Sequence, residues 1–397
     1  MLEILAKAKS ATQNNDWLQV NYCLQQLPLT EDGKTPFDEE FLNLALTVLN
    51  YGDFQDRWEV AKILPKFGDR VIPPLIEILE DEEIEMEERC FAGSILGQFD
   101  RPLAIEALMG CLQTSQDEEL TSIAASALAN LGESAIATLA QLLQQPESRR
   151  LATQALSQIR HPAAIESLLT VVDDENAQIR TIVIETLGTI RDRRFIPILI
   201  EALNDLDTNV RKEAVIALGL WRDLTSELDL LTLLTPRLYD LNLEICQQAA
   251  IAIGKLKTSE AAATLFHVFQ SPVTPISLQL TLIRALAWNE TEASLECLHK
   301  ILSSEDQEKL LETIRVLGRM ETPHLKSRAT RVLLDFFSSS SPALKSPHIL
   351  KFLIQAWGQL GEPDAREVLV PLQDHNTPSI RLHAIAALDR CQMASLR

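Results

Sequence analysis

The stretch DTNVRKEAVIALGLW, residues 207–221, is echoed 31 positions upstream by AQIRTIVIETLGTI, residues 177–190. Val210-Arg211 aligns with Ile179-Arg180, and both stretches then reach a Leu-Gly pair after the same number of residues. A catalytic motif usually occurs once in a chain, whereas a structural unit that stacks on copies of itself recurs at a fixed period. The echo therefore predicts a repeat protein.

The same mark, a large apolar residue followed by a small or turn-favouring one, recurs along most of the chain, with spacings of 28 to 40 residues. Between successive marks lies a second apolar segment of helical period, such as FIPILIEALND at 195–205. Each unit is therefore helix, short turn, helix, and its apolar face is buried only when units stack. The marks are Leu64-Pro65, Leu96-Gly97, Leu128-Ala129, Leu156-Ser157, Leu187-Gly188, Leu218-Gly219, Ile253-Gly254, Leu286-Ala287, Leu317-Gly318, Trp357-Gly358 and Leu388-Asp389.

We predict an all-α fold, a right-handed α-solenoid (superhelix) of about 11 to 12 helical hairpins. Residues 1–54 form degenerate N-terminal capping helices, near 2–27 and 38–50, and residues 55–337 form the repeat array. The breaker-rich run SSSSPALKSP at 338–347 is predicted to be a loop or hinge. Residues 348–397 carry the last repeats and a cap.

Short polar residues stand before the second helix of the best-marked units. Asp205 and Asp207 precede Val210-Arg211, where their carboxylates can accept hydrogen bonds from amides that the first helical turn leaves unpaired. The arginine that follows could bond an aspartate of a neighbouring turn, and a row of such pairs would hold successive repeats in register. Pro197 falls in the first turn of its helix, where a missing N–H costs least.

Charge is distributed unevenly along a chain that is 46% hydrophobic, 5% aromatic and carries a net charge of −20. Residues 1–175 contain 12 Lys/Arg against 30 Asp/Glu, residues 176–397 contain 24 against 26, and the stretch 309–351 is locally basic. This acidity argues against nucleic acid as a partner, because phosphate contacts need a broadly positive surface. An acidic end and a basic stretch favour a partner-binding surface with direction, although a solvated surface without a partner would have the same composition.

The sequence carries no recognisable catalytic or metal-binding motif. The six cysteines lie far apart without CxxC spacing, no histidine is followed by glutamate, and no glycine-rich phosphate loop is present. We therefore predict neither a metal site nor a nucleotide site. The chain also lacks a signal-peptide pattern and any apolar run of about 18 residues, so we expect a cytoplasmic protein without membrane insertion.

The unit RRFIPILIEALNDLDTNVRKEAVIALGLW (residues 193–221) resembles a HEAT repeat of the short class found in the phycobilisome lyase-like HEAT family. At the level of fold, the resemblance covers residues 55–397. In HEAT arrays the helices that begin with the Val-Arg pair line the concave side, and such a face suits protein clients better than a small substrate. The resemblance therefore places near the inner surface Thr181, Glu185, Lys212, Glu213 and Ile216.

The resemblance implies two functions. The first is a soluble scaffold, assembly factor or chaperone that binds a protein along its concave face, in a cyanobacterium-like cytoplasm, with a phycobiliprotein or a photosynthetic assembly as partner. The second is an enzyme, a phycobilin lyase or lyase subunit that attaches or detaches chromophore on phycobiliproteins. We favour the first, which needs no cofactor; for the second, the catalytic residues are unknown.

A lyase would bind a phycobilin tetrapyrrole with Arg or Lys on its propionates and aromatic side chains against its rings. As plain structure, a tryptophan at a helix end seals the turn and an arginine there keeps the turn solvated. Both interpretations stay open from the sequence. The residues available for chromophore or partner binding are Arg191, Arg193, Arg194, Trp221, Arg222 and Trp288.

Overall fold

A computed structural model describes residues 2–27, 38–221, 228–339 and 341–394. Over these residues the protein is helical, with 24 α-helices, five short 3₁₀ helices and no strand. The chain divides into two compact units, Met1–Thr186 (unit 1) and Leu187–Arg397 (unit 2).

The helices follow one another with short connections. Unit 1 contains α1 (Leu2–Gln13), α2 (Trp17–Gln25), α3 (Asp38–Tyr51), α4 (Phe54–Ala61), α5 (Ile72–Glu80), α6 (Met86–Leu96), α7 (Pro102–Thr114), α8 (Glu118–Asn130), α9 (Glu133–Leu142), α10 (Pro146–Gln158) and α11 (Pro162–Leu169). Helix α12 (Ala177–Ile190) begins in unit 1 and ends in unit 2. Unit 2 continues with α13 (Ile196–Ala202), α14 (Thr208–Gly219), α15 (Leu230–Leu234), α16 (Leu243–Gly254), α17 (Ser259–Gln270), α18 (Ile276–Asn289), α19 (Glu292–Ile301), α20 (Gln307–Gly318), α21 (Pro323–Ser338), α22 (Pro347–Leu360), α23 (Arg366–Leu372) and α24 (Pro378–Ala394). The 3₁₀ helices span Leu64–Val71, Arg193–Phe195, Thr235–Tyr239, Pro342–Lys345 and Pro363–Ala365.

Each odd-numbered helix is followed by its even-numbered partner, so the described residues form twelve helical hairpins. Successive even-numbered helices pack against each other, from α2 to α10 in unit 1 and from α14 to α24 in unit 2. We call each of these rows the second-helix layer of its unit. The predicted all-α solenoid of 11 to 12 hairpins is confirmed.

Helix α14 shows how the sequence builds the second helix of a repeat. The Asp207 carboxylate accepts hydrogen bonds from the amides two and three residues later, at 2.7 and 3.4 Å, and so caps the helix as predicted. Val210, Ala214 and Leu218 lie buried at helical spacing on one face. Pro197 lies in the first turn of α13, also as predicted.

The glycine of the repeat mark has a packing role as well as a place at the helix end. A Cβ atom at Gly254 would lie 2.5 Å from the carbonyl oxygen of Ala285 in the next second helix of unit 2. In unit 1, a Cβ at Gly97 would lie 2.7 Å from the Cα of Ala127. At these crossings the next helix approaches so closely that a side chain does not fit without a shift.

The predicted pairing of arginines with aspartates of neighbouring turns is confirmed in both units. In unit 2, Arg211 makes a bidentate ion pair with Asp240, with Nε–Oδ2 at 2.9 Å and Nη2–Oδ1 at 3.0 Å. The same guanidinium also donates to two carbonyl oxygens of the turn before α14. In unit 1, Arg149 pairs with Asp174 at 2.8 Å. These arginines therefore tie one turn to the next.

Two segments add detail to the predicted organisation. Residues 2–27 form two helices rather than the single predicted one, because Asn15 has a positive φ of 54° and Asp16 caps α2. Within 338–347, α21 ends at Ser338 and a 3₁₀ helix follows at Pro342–Lys345, while residue 340 lies outside the described residues. The domain bounds at 54, 337 and 347 stay a prediction.

Candidate functional site

We number positions in each second helix from the second residue of its mark, such as Gly219. In unit 2, two of these positions lie outside the core: the one three residues before this residue and the one directly after it. Because the helical repeat is regular, side chains at these positions share one face of the layer. The positions hold Ile216 and Leu220 in α14, Arg284 and Trp288 in α18, and Arg315 and Arg319 at α20.

Helices α18 and α20 enclose an open pocket of about 460 Å³. Its lining includes all four residues that these two repeats place at the exposed register positions: Arg284, Trp288, Arg315 and Arg319. Glu312 of α20 completes the group. We call these five residues the arginine–tryptophan pocket.

Glu312 fixes two of the three arginines. Its carboxylate, only 7% exposed, accepts from Arg284 Nε at 2.5 Å through one oxygen and from Arg315 Nη1 at 2.7 Å through the other. The Arg315 guanidinium also lies 5.6 Å from the ring centroid of Phe352 on α22. A guanidinium has five N–H groups, so both arginines keep donors for a further acceptor.

Trp288 and Arg319 are the two residues of the pocket that take no part in the ion pairs with Glu312. The Trp288 side chain is 44% exposed, an unusual exposure for the largest aromatic residue. Arg319 is exposed and makes no ion pair with any residue in the described part of the chain. The pocket thus offers an aromatic surface and three guanidinium groups, which suit carboxylate recognition. Two further carboxylates line it, Glu290, which pairs with Lys257, and Glu321.

Two turns at the rim of the pocket have a backbone conformation that costs free energy. Glu290, which follows α18, has a positive φ of 50°, and Lys257, at the turn after α16, has a positive φ of 56°. The two side chains form an ion pair at 2.6 Å. Non-glycine residues with positive φ are uncommon and cost free energy, so these turns hold charged side chains in places where glycine would be easier to accommodate.

The predicted concave-face residues lie on the helices that were expected to carry them. Thr181 donates to the carbonyl of its own helix at 2.8 Å and Glu185 is exposed, both in the unit 1 part of α12. In unit 2, Glu213 and Ile216 are half-buried, and Lys212 pairs with a glutamate of α16 at 3.5 Å. Their role in partner binding stays a prediction.

The predicted arginines after α12 form a separate group in the turn. Arg191 donates to the carbonyl oxygen of Leu220 at 3.1 Å. Arg194 makes two hydrogen bonds to the Asp192 carboxylate, at 2.9 and 2.7 Å, which hold the pKa of Asp192 below its usual value. Arg193 is exposed in the same 3₁₀ segment. These side chains lie outside the arginine–tryptophan pocket.

The two predicted tryptophans differ because they are one residue apart in register. Trp288 follows its mark directly and is 44% exposed, whereas Trp221 lies two residues after its mark and is 3% exposed. Met320, two residues after the mark of α20, is buried in the same way. The Trp221 ring is therefore core and is not available to a partner in this conformation. Arg222, also predicted, lies outside the described residues.

The pocket adds residues that the sequence reasoning did not select: Arg284, Glu312, Arg315 and Arg319. The repeat period contained the necessary signal, because Arg284 and Arg315 occupy the register position of Ile216, and Glu312 that of Glu213. The same register positions two and three repeats further along the chain are the positions of these residues. Only the structure places them around one cavity.

Within the described ranges, no group of three or more His, Cys, Asp or Glu side chains is arranged to hold a metal ion. Burial raises the pKa of both the Cys90 and Cys111 thiols to about 11, which leaves little thiolate at neutral pH. The helices of the described part of the chain are all too short or too polar to cross a membrane.

The stacked helical hairpins and the arginine–tryptophan pocket define a helical-repeat protein with a pocket of charged residues on the second-helix layer of unit 2. A family model of HEAT repeats matches residues 42–129, 72–157, 136–219 and 196–276, which together make up more than half of the chain. The chain belongs to the HEAT-repeat family. A search of curated proteins gives no match.

Several solved structures share the fold. Kap95p bound to RanGDP aligns with a TM-score of 0.62 at 12% identity, over 90% of this chain and 55% of that chain. Kap95 in complex with Nup1 gives 0.62 at 13%, over 90% and 56%. The karyopherin Kap121p, bound to the extreme C-terminus of the protein phosphatase Cdc14p, gives 0.54 at 16%, over 96% and 52%. This chain therefore spans about half the length of these relatives, and the likeness concerns the fold alone.

Proposed function

We propose that the protein is a scaffold or assembly factor that binds another protein on the second-helix layer of unit 2. The observation that carries the proposal is the arginine–tryptophan pocket. Tryptophan and arginine are the side chains that most often dominate protein–protein binding energy, because each buries a large area and makes directional contacts. Arg284 and Arg315 are already fixed by Glu312, so binding costs less side-chain entropy there.

The pocket favours an acidic segment of the partner. Arg319 has no ion pair in the described part of the chain. Arg284 and Arg315 keep unused N–H groups, and two N–H groups of one guanidinium can bind the two oxygens of a carboxylate. An apolar or aromatic residue next to that carboxylate would cover Trp288. The partner sequence should therefore place Glu or Asp beside Phe, Tyr or Leu.

The surroundings of the pocket support a protein partner rather than a small substrate. The exposed register positions continue from α14 through α20, and adjacent helices lie about 8 to 10 Å apart, so the face is extended. Among the structural relatives, Kap121p holds the extreme C-terminus of another protein.

The test compares partner capture by three forms of the full chain: wild type, the double variant Trp288→Ala/Arg319→Glu, and the control Arg331→Glu. Arg331 is an exposed cation on α21, outside the second-helix layer. We expect proteins retained by wild type and Arg331→Glu to be lost from the double variant, with cross-links to α18 and α20 mapping to acidic segments of the partner. Equal retention by all three forms would contradict the proposed site.

A second candidate function is a phycobilin lyase or lyase subunit acting on phycobiliproteins in a cyanobacterial cytoplasm. The observation in its favour is that Trp288 lies with three arginines and with Glu290 in one pocket, which supplies a ring surface, cations for propionates and a carboxylate for pyrrole N–H groups. Co-expression with an apo-phycobiliprotein and bilin tests it. Fluorescence of covalently bound chromophore above the level measured without this protein supports the lyase function. If no phycobiliprotein subunit gains such fluorescence, the lyase function is wrong.

A further inference from the structure

Unit 1 carries an exposed aromatic cluster on its own second-helix layer. Phe54 and Trp58 lie one turn apart on α4, 59% and 51% exposed, with ring centroids 6.5 Å apart in a stacked arrangement. Phe91 on α6 joins them at 5.6 Å from Phe54. Large aromatic side chains that are exposed together, rather than singly, mark an interaction surface.

The repeat itself does not need these aromatic residues. Arg57, between them in the sequence, links α4 to its neighbours. It is buried, donates to the Leu49 carbonyl at 2.9 Å and pairs with Glu87 at 2.6 Å. Trp58 lies seven residues before its mark, the register position that Lys212 occupies in α14 of unit 2. Other repeats of unit 2 have lysine, glutamine or leucine at this position, so the fold does not require a tryptophan there.

The charge around the cluster indicates the sign of its partner. Over α2, α4, α6 and the residue that precedes each of them, six acidic residues are exposed or half-buried, against one basic residue, Arg89. Lys62 lies 5.4 Å from the Trp58 ring centroid and pairs with Glu59 at 2.8 Å. An ammonium group already lies over this aromatic ring beside a carboxylate, which is the arrangement that a cation from a partner would repeat.

We propose that the cluster of Phe54, Trp58 and Phe91 binds an amphipathic helix of a partner protein, with apolar residues on the aromatic rings and Lys or Arg toward the flanking carboxylates. A second copy of this chain fits less well, because it would bring the same acidic helices together. This surface lies within unit 1 and is independent of the arginine–tryptophan pocket. Either proposal can fail without the other.

The experiment measures binding of a fluorescein-labelled 18-residue Leu/Lys peptide to the full chain by anisotropy at 150 mM salt. The Leu residues are spaced to form one helical stripe, and two comparison peptides have the same composition without a stripe or Glu in place of Lys. We expect the striped Leu/Lys peptide to bind at least tenfold more tightly than either. Equal binding of the unstriped peptide would mean that net charge alone is responsible, which overturns the proposal.

Variants locate the binding surface. Phe54→Ser/Trp58→Ser should weaken binding at least tenfold, and Trp58→Lys, which installs the residue that α14 has in this register, should weaken it similarly. Leu103→Ser, at an equally exposed leucine of α7, should leave it unchanged, as should the double variant Trp288→Ala/Arg319→Glu. Unchanged binding by both cluster variants, or a self-associated chain that Phe54→Ser/Trp58→Ser converts to monomer, overturns the proposal.

Discussion

The two units share one way of stacking and differ in what they expose. Both use a glycine at the helix crossing and an arginine that ties successive turns, shown by Gly97 and Arg149 in unit 1 and by Gly254 and Arg211 in unit 2. On its second-helix layer, unit 1 exposes the aromatic residues Phe54 and Trp58 among carboxylates, whereas unit 2 exposes arginines and one tryptophan, Trp288. The comparison shows that the repeat separates positions that serve packing from positions that are free for recognition.

The units also differ at buried and turn positions. Unit 1 holds a carboxylate, Glu88, nine residues before its mark, where α14 has Val210. At positive φ, the described part of unit 1 has Asn15, Gly68 and Gly132, whereas that of unit 2 has one glycine, Gly361, and three charged residues, Arg191, Lys257 and Glu290. Each difference leads to a variant whose effect on the free energy of unfolding can be measured.

The largest effect is expected for Arg211→Ala. This change removes the bidentate partner of the Asp240 carboxylate, whose side chain is 5% exposed and keeps only the longer contact with Arg237 at 3.8 Å. We expect a loss of about 3 kcal/mol in the free energy of unfolding at pH 7. Arg57→Ala in unit 1 should cost less, about 1.5 kcal/mol, because Glu85 and Glu87 are solvated when unpaired. Urea titration of both variants measures the difference, and a larger loss for Arg57→Ala would contradict the comparison.

The Arg211 effect should depend on pH. Burial by itself raises the pKa of Asp240, but hydrogen bonds from Arg211 and from the Asn242 amide outweigh it, so the pKa lies below the usual value. The stabilisation by this carboxylate is present above the ordinary Asp pKa of about 3.9 and is lost as the pH falls through the folded pKa. The gap between wild type and Arg211→Ala should therefore narrow at acidic pH, and a constant gap would argue against the ion pair as its cause.

The next effect tests whether the two units share the same helix crossing. Gly254→Ala should lower the free energy of unfolding by about 2 kcal/mol, because its Cβ would meet backbone atoms of Ala285 that cannot move aside. Gly97→Ala should do the same in unit 1. The control is Gly110→Ala in α7, where no atom lies within 4 Å of the added Cβ and helix propensity predicts a gain of about 0.5 kcal/mol. Similar melting temperatures for all three variants would contradict close crossing.

A smaller effect with the opposite sign is expected for Glu88→Leu. Glu88 is 3% exposed, and its Oε1 has no hydrogen-bond partner among the described residues. Burial raises its pKa, so the folded state favours the neutral carboxyl, and destabilisation by Glu88 grows as the pH rises through the folded pKa. We expect Glu88→Leu to gain about 1 kcal/mol at pH 7.5.

The gain from Glu88→Leu should be smaller at pH 4, where the carboxyl is mostly protonated in both states. Urea titration at the two pH values measures it, with the exposed Glu83→Gln as control. An equal gain at both pH values would attribute the effect to packing alone. A loss of stability would show that this unit 1 position is not equivalent to Val210.

The smallest effect concerns the charged turn beside the pocket. Glu290→Gly should gain about 0.5 kcal/mol, because glycine adopts the positive φ without strain and the exposed ion pair with Lys257 contributes little. Gly361→Ala, at the turn after α22 with a φ of 68°, should lose about 1 kcal/mol. If Glu290→Gly instead lowers the melting temperature, the turn is held by contacts of its own and the strain argument is wrong.

The sequence by itself determined the architecture. The period of the Leu-Gly mark gave the hairpins, the aspartates gave the caps, and the arginine after the buried Val210 gave the pairs between turns, because these features repeat and each depends on neighbours close in sequence. Thr181, Glu185, Lys212, Glu213 and Ile216 were placed on their helices for the same reason.

Tertiary structure decided which side chains meet. The sequence treats Trp221 and Trp288 as similar helix-end residues, but a shift of one register position turns the first into the core and leaves the second exposed, since successive positions on a helix point in directions about 100° apart. It likewise took the packing of α18 against α20 to bring Arg284, Arg315 and Glu312 together across two repeats. Side-chain contacts between repeats depend on helix spacing, which the glycine crossings set and which sequence periodicity alone does not give.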